Sequence, residues 1–240
     1  MIRFLWVIFV NLLHIVYYVP KMAHYGRHPE KYSEEKCYAL AQKLIARVKR
    51  TARINTEYYG VENLPQGDGG YIMFSNHQGK YDGPGIIAGH KRPCTVLMDK
   101  KRSKMPIADQ FISLLRGQRI DKKSLRQQVA VLKTIAKEVS DGRVYLVFPE
   151  GGYEKGQGNR IRAFKQGCFT CAARAKCPLV PVAIVDSYIP FGVNSLKKVT
   201  TKVIYLPPIE YEDYKDMTST EVSEMVRNII DQEMKKWIDK

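Results

Sequence analysis

Apolar residues follow one pattern up to residue 20, a second to about residue 53 and a third beyond it. Residues 1–20, MIRFLWVIFVNLLHIVYYVP, are apolar apart from Arg3, Asn11 and His14. The run ends in YYVPK with no small-residue cleavage site, so a removed secretory signal is not expected. Its uninterrupted apolar portion is shorter than the roughly 20 residues that cross a bilayer comfortably. Trp6, Tyr17 and Tyr18 are amphipathic aromatics suited to the headgroup level. The pattern predicts an N-terminal membrane-anchoring helical segment, a shallow or monotopic anchor being as well supported as a full span. A buried core helix is the alternative.

After a polar connector, Cys37, Ala41, Leu44, Ile45, Val48 and Ala52 recur every three or four residues, the period of an amphipathic helix. Lys43, Arg47, Lys49, Arg50 and Arg53 occupy its other face. A basic amphipathic helix beside an apolar segment predicts contact with an anionic membrane surface, to which each cation can add about 1 kcal/mol. Residues 1–53 are therefore read as a hydrophobic anchor plus a basic helix.

From residue 54 the pattern alternates. RINTEYYGV, GYIMFSN, CTVLMD, VYLVFPEG, LVPVAIVD and TTKVIYLP have strand character, and helical stretches lie between them. In SLRQQVAVLKTIAKEVSDG, residues Leu125, Val129, Leu132, Ile135 and Val139 form one apolar face, and Gly142 is the expected stop. The last stretch, TSTEVSEMVRNIIDQEMKKWIDK, predicts a closing helix that packs through Val222, Met225, Val226, Ile229 and Ile230. Thr218 and Glu221 have the spacing of a capping box at its start. The alternation predicts an α/β fold, a largely parallel central sheet flanked by helices, with residues 54–240 as one domain.

Charge changes the picture. Thirty-nine Lys and Arg face 24 Asp and Glu, a formal net charge of +15. The basic stretches KLIARVKRTAR, DKKRSK and RGQRIDKKSLR lie well apart, so no single tail accounts for the excess. Such a surface favours anionic partners. No recognised nucleic-acid motif or aromatic–basic platform occurs, so nucleic acid is not the expected partner. Of the five cysteines, Cys37 and Cys94 stand alone and Cys168, Cys171 and Cys177 cluster in GCFTCAARAKC. No His or further Cys pair completes a zinc pattern, so buried thiols and no metal are expected.

The candidate chemistry begins at SNHQGKYDG, residues 75–83. YIMFS ends a strand and GPGIIAGH opens a helix, so His77 and Asp82 flank a strand-to-helix turn at the carboxyl edge of the sheet. That is where α/β folds place ligands. A turn through Gly79 can fold back so that Asp82 accepts the Nδ1 proton of His77, leaving Nε2 as an aimed base for a substrate hydroxyl. An amide at position 82 would favour the wrong imidazole tautomer. In VFPEGGYEKGQGNRIRAFKQG a second strand ends at Phe148, placing Glu150, Gly151 and Gly152 at the same edge. Glycine-rich turns can cradle phosphate on backbone amides, and Arg160, Arg162 and Lys165 follow closely enough to add charge.

Taken in order, NHQGKYD, RGQRIDKK, FPEGG and VPVAI resemble the four sequence blocks of the glycerolipid acyltransferase family of the 1-acylglycerol-3-phosphate acyltransferase type. The resemblance covers about residues 54 to 210 and makes 54–240 an acyltransferase catalytic domain. It implies His77 as general base, Asp82 as its orienting partner and Lys100, or its neighbour Lys101, as stabiliser of the oxyanion. Asn76, Arg119, Phe148, Pro149, Glu150, Gly151 and Gly152 then line the substrate site, Glu150 and the adjoining amides positioning the acceptor headgroup. The implied reaction moves a fatty acyl group from a thioester of coenzyme A or acyl carrier protein to the hydroxyl of lysophosphatidic acid. Phosphatidic acid is the product, made in phospholipid biosynthesis at the cytoplasmic face of a membrane without a metal or bound cofactor. Glycerol 3-phosphate or another lysolipid are alternative acceptors, and a non-enzymatic protein that binds anionic lipid is the rival of another class.

The chain also departs from the family pattern. Lys122 replaces the Arg of the second block, and Gly152 and Tyr153 replace the Thr and Arg of the third. In the family that Arg is implicated in binding the acceptor's phosphate. Arg119, Arg160 or Arg162 is expected to substitute, Arg119 first because its block should approach the site.

Overall fold

A computed structural model describes residues 2–238. Helices α1 (Ile2–Val10), α2 (Leu12–Arg27) and α3 (Glu34–Thr51) precede the first strand. Then come β1 (Ile54–Tyr59), β2 (Tyr71–Ser75), α4 (Asp82–Gly89), β3 (Cys94–Asp99), α5 (Ala108–Leu114), β4 (Gln118–Ile120), α6 (Leu125–Ser140) and β5 (Val144–Val147). The chain continues through α7 (Thr170–Ala175), β6 (Leu179–Val185), α8 (Ile189–Gly192), β7 (Val199–Tyr205), α9 (Tyr211–Tyr214) and α10 (Ser219–Ile238). The strands form one sheet in the order β1-β7-β6-β2-β5-β3-β4. All neighbours pair in parallel except β6 with β7, so β1 and β7 run against the other five. The predicted strands are all present; β4, three residues on the sheet edge, is too short for a hydrophobic period to reveal.

Successive side chains of the central strands point to opposite faces and are buried on both. Tyr71 and Met73 of β2, Leu146 of β5 and Val182 of β6 meet α2, α3, α4 and α5. Ile72 and Phe74, Tyr145 and Val147, and Ala183 and Val185 meet α6, α7 and α10. Each fully buried Val, Leu, Ile or Phe contributes about 1.5–3 kcal/mol. Two covered faces explain why YIMFS, VYLV and LVPVAIV are continuous apolar runs. The α10 capping box forms as predicted, with Thr218 N donating to Glu221 Oε2 at 2.7 Å and Glu221 N to Thr218 Oγ1 at 3.3 Å.

Two expectations need correction. The buried face of α6 is Val131, Ile135, Ala136 and Val139, whereas Leu125 and Val129 are 75% and 42% exposed. Sixteen helical residues extend about 24 Å, nearly twice the reach of the four-residue strand β5, so the first turn of α6 overhangs the sheet. Gly142 does end this helix, at φ +98°, with its N–H bonded to Val139 O at 3.0 Å. The division at residue 53 is likewise a change of pattern and not of core. Met22, Cys37, Tyr38, Leu40, Ala41 and Ile45 are buried in the same cluster as the strands.

Among the described residues the apolar N-terminal run forms no single helix long and apolar enough to cross a membrane; α1 and α2 meet at a bend of 80°. Helix α1 docks on the domain. Arg3 is 1% exposed and donates to Pro190 O at 3.1 Å and Lys197 O at 2.5 Å. Phe4 meets Phe191 edge-on, and Val7 packs among Ala52, Ile54, Tyr81 and Val199. Apolar residues on the other side of the corner stay outside: Phe9 is 74% exposed, Leu13 83% and Val16 67%. The basic face of α3 is partly turned inward, since Arg47 Nε donates to Asn11 Oδ1 at 2.7 Å and Lys49 Nζ to the Tyr58 hydroxyl at 3.4 Å.

Candidate active site

Strands β6, β2 and β5 are parallel neighbours and release their chains at one edge of the sheet. The segments 186–188, 76–81 and 148–153 therefore converge there. His77 sits in the turn between β2 and α4, and Asp82 is the first residue of α4. Their side chains meet, with Nδ1 of His77 2.5 Å from Oδ2 of Asp82.

The partners of Asp82 settle the tautomer. Oδ2 also accepts the backbone N–H groups of Gln78 at 2.5 Å and Gly79 at 2.8 Å, and Oδ1 accepts the Ser187 hydroxyl at 2.6 Å. An oxygen that accepts two amide protons acts as an acceptor, so His77 Nδ1 carries the hydrogen and donates it. Nε2 then keeps its lone pair and has no hydrogen-bond partner among the described residues. The imidazole lies against Phe148, ring centres 4.4 Å apart at 23°, and meets Tyr153 edge-on at 4.8 Å. These two aromatic contacts orient the base and are worth about 0.5–1.5 kcal/mol each.

Glu150 lies behind this turn, only 3% exposed. Its Oε1 accepts the His77 backbone N–H at 2.8 Å, and Oε2 accepts Gln157 Nε2 at 3.0 Å and the Arg162 N–H at 3.3 Å. Burial pushes its carboxyl above the usual carboxylate range, against the pull of those hydrogen bonds. Both oxygens of Glu150 are thus engaged within the protein, and Oε1 fixes the backbone of His77. Asn76 is fully buried and pairs with Ile184 in both directions, Nδ2 to its carbonyl at 3.0 Å and Oδ1 from its N–H at 2.8 Å. It joins β2 to β6 from a position with no exposed surface. Pro149 is buried as well.

Gly151 and Gly152 turn at φ +71° and +138°, the region that glycine adopts without strain. Their carbonyls, rather than their amides, are what the surrounding cations engage. Lys122 Nζ donates to Gly151 O at 2.5 Å and pairs with Asp99 at 3.2 Å. Arg162 donates to Gly152 O at 3.2 Å and pairs with Glu154 at 3.1 Å. Arg102 Cζ lies 5.3 Å from the centre of the Tyr153 ring, and its guanidinium has no carboxylate partner among the described residues. Two of the predicted cations are engaged elsewhere. Arg119 donates to Asp109 Oδ1 at 2.9 Å and Ser113 Oγ at 2.8 Å, facing α5, and Lys100 pairs with Asp121 at 3.5 Å. Neither contacts His77 or Tyr153. Sequence reasoning missed Ser187 and Arg102. Ser187 was findable, since it stands just past the carboxyl end of β6; Arg102 lies in a short turn that carries no pattern.

The acyltransferase family model matches residues 55–185, more than half the chain, and the chain belongs to that family. It is 26% identical over 231 residues to a 1-acyl-sn-glycerol-3-phosphate acyltransferase alpha of Ovis aries, covering 93% of this chain and 74% of that protein. With the 1-acyl-sn-glycerol-3-phosphate acyltransferase of Escherichia coli it shares 27% identity over 170 residues, covering 69% and 67%. The crystal structure of the 1-acyl-sn-glycerophosphate (LPA) acyltransferase PlsC from Thermotoga maritima superposes with a TM-score of 0.78 at 20% identity. That match covers 98% of this chain and 95% of the other.

Proposed function

We propose that this acyltransferase moves a fatty acyl group from a thioester of coenzyme A or acyl carrier protein to the hydroxyl of lysophosphatidic acid at a membrane surface. The observation that carries the reading is the open Nε2 of His77, aimed by Asp82 beside a cation-lined turn. Nε2 takes the proton from the acceptor hydroxyl as its oxygen attacks the thioester carbonyl. The tetrahedral adduct collapses, the carbon–sulfur bond breaks, and the leaving thiolate takes the proton back from the imidazolium. No covalent enzyme intermediate or bound cofactor enters this scheme. Purified protein in detergent, offered several lysolipids and glycerol 3-phosphate with labelled acyl-CoA and acyl carrier protein thioesters, tests it. Turnover with no combination of these would reject it and promote the lipid-binding reading.

A phosphate-bearing acceptor is favoured by Arg102, Lys122 and Arg162 around Tyr153. Arg119, held by Asp109 and Ser113, is not the cation to meet it. Arg102→Ala should raise the KM for lysophosphatidic acid about tenfold or more, as expected for a lost charge-assisted contact, and leave the thioester KM unchanged. Arg119→Ala should move the acceptor KM by less than about threefold, since its guanidinium is occupied on α5. An acceptor KM left unchanged by both substitutions would point to a neutral or zwitterionic lysolipid, a reading that Tyr153 in place of a guanidinium also favours.

The reading includes attachment at the cytoplasmic face of a membrane, and the exposed Phe9, Leu13 and Val16 of the α1–α2 corner support the attachment. The same helix α1 rests on the catalytic turn: Lys80 Nζ lies 4.7 Å from the Phe4 ring centre, and Val7 packs against Tyr81. Apolar corner and catalytic turn are thus joined by packed contacts. Replacing Phe9, Leu13 and Val16 together by Gln should release the protein from vesicles containing anionic lipid with Tm within about 2 °C, because exposed side chains away from special features contribute little to stability. Unchanged sedimentation with vesicles would reject the anchor.

A further inference from the structure

Asp82 is the least exposed charged group of the site, at 1%, and its two oxygens have different partners. Oδ2 serves His77 Nδ1 and two backbone amides, contacts made within one short turn. Oδ1 has one partner among the described residues: the hydroxyl of Ser187, 105 positions away, at 2.6 Å. Ser187 is itself 4% exposed and locked in place. Its N–H donates to Gln78 Oε1 at 2.9 Å, and Gln78 Nε2 returns to Ile184 O at 3.0 Å. The residue before it, Asp186, takes φ +60°, a conformation tolerated by Asp, and is fixed by Asn159 through both its N–H and its carboxylate at 2.9 Å. This left-handed step turns the end of β6 so that Ser187 faces back under the His77 loop.

From this geometry we infer that Ser187 is a positioning residue for catalysis, holding Asp82 through Oδ1 so that Oδ2 presents its lone pair to His77. A Ser, a His and an Asp in contact invite the reading of Ser187 as a nucleophile, but the order excludes it. The hydroxyl sits beyond Asp82, not against His77 Nε2, and its proton is committed to the carboxylate. The carboxylate cannot rotate toward solvent while both oxygens are bonded. Without Ser187, Oδ1 becomes a buried, unpaired half-charge and the group is free to pivot about the remaining bonds, carrying the imidazole with it. The inference rests on the acyl-transfer reading for its kinetic consequence but not for its geometric one.

The test is Ser187→Ala, with Ser187→Thr as the variant that restores the hydroxyl. Loss of a hydrogen bond to a buried charge predicts a fall in kcat of about tenfold or more, with both KM values within about twofold of wild type, and substantial recovery in the Thr variant. Independently of turnover, the downfield proton resonance of His77 Nδ1–H should broaden or move upfield in the Ala variant. If Ser187→Ala does not fold, Ser187→Cys, nearly isosteric but a weaker donor, should fold with an intermediate kcat. A folded Ala or Cys variant with wild-type kcat and an unmoved Nδ1–H signal would overturn the inference. If the wild type acylates no lysolipid at all, the function reading fails while the resonance still decides the role of Ser187.

Discussion

Replacing His77 by alanine is expected to lower kcat for acyl transfer by about three orders of magnitude or more, since a positioned general base contributes roughly 10²–10⁴-fold. The fold should survive. The backbone N–H that Glu150 accepts is still present in the variant, and the side chain is part of neither large core cluster. What is lost structurally is the contact with Phe148 and Tyr153, about 1–3 kcal/mol in all, a fall of several degrees in Tm at most. Turnover of a labelled thioester, read beside the thermal transition, separates the two effects. Turnover within tenfold of wild type in a folded His77→Ala variant would remove His77 from the chemistry.

Much of this architecture was legible because its determinants are local. A strand buried on both faces must be apolar throughout, and a helix on its face must repeat every three or four residues, so β2, β5, β6 and α10 announce themselves. The His77–Asp82 contact was legible for the same reason: a short glycine-containing turn decides it. What stayed hidden depends on distant segments. Glu150 looks like a substrate contact in FPEGG, yet its partner is the amide of His77, 73 positions earlier. Arg119 looks available until Asp109 and Ser113 of α5 are seen to hold it. Leu125 and Val129 have the helical period but overhang a strand only four residues long. In the N-terminal run, composition does not reveal that Arg3 is buried against Pro190 and Lys197 and docks the first helix on the domain, while Phe9, Leu13 and Val16 stay exposed.

The second large effect is at Asp82, where the structure changes the reason for the loss. A carboxamide placed against an imidazole commonly turns its NH₂ toward Nδ1 and imposes the wrong tautomer. Here the N–H groups of Gln78 and Gly79 point at the same oxygen as His77 does. An NH₂ in that position would oppose three donors. The asparagine of Asp82→Asn must therefore present its carbonyl there and turn its NH₂ toward the Ser187 hydroxyl, which can accept. The substitution thus keeps the Nδ1–H tautomer and loses only the negative charge that stabilises the imidazolium formed in the transition state. An opposite charge at this separation is worth about one to three pKa units, so kcat should fall roughly 10–10³-fold, less than in His77→Ala. Asp82→Ala removes charge and acceptor together and leaves two amides and a hydroxyl unpaired in a buried site. Its kcat should approach that of His77→Ala, and its Tm should drop by several degrees, since each such orphan costs about 1–3 kcal/mol. The ordering, with the asparagine variant more active than the alanine variant, is the discriminating observation. An Asp82→Asn enzyme as inactive as His77→Ala would mean that the amide has turned its NH₂ to the imidazole in spite of the two backbone donors, and the role assigned to those amides would be wrong.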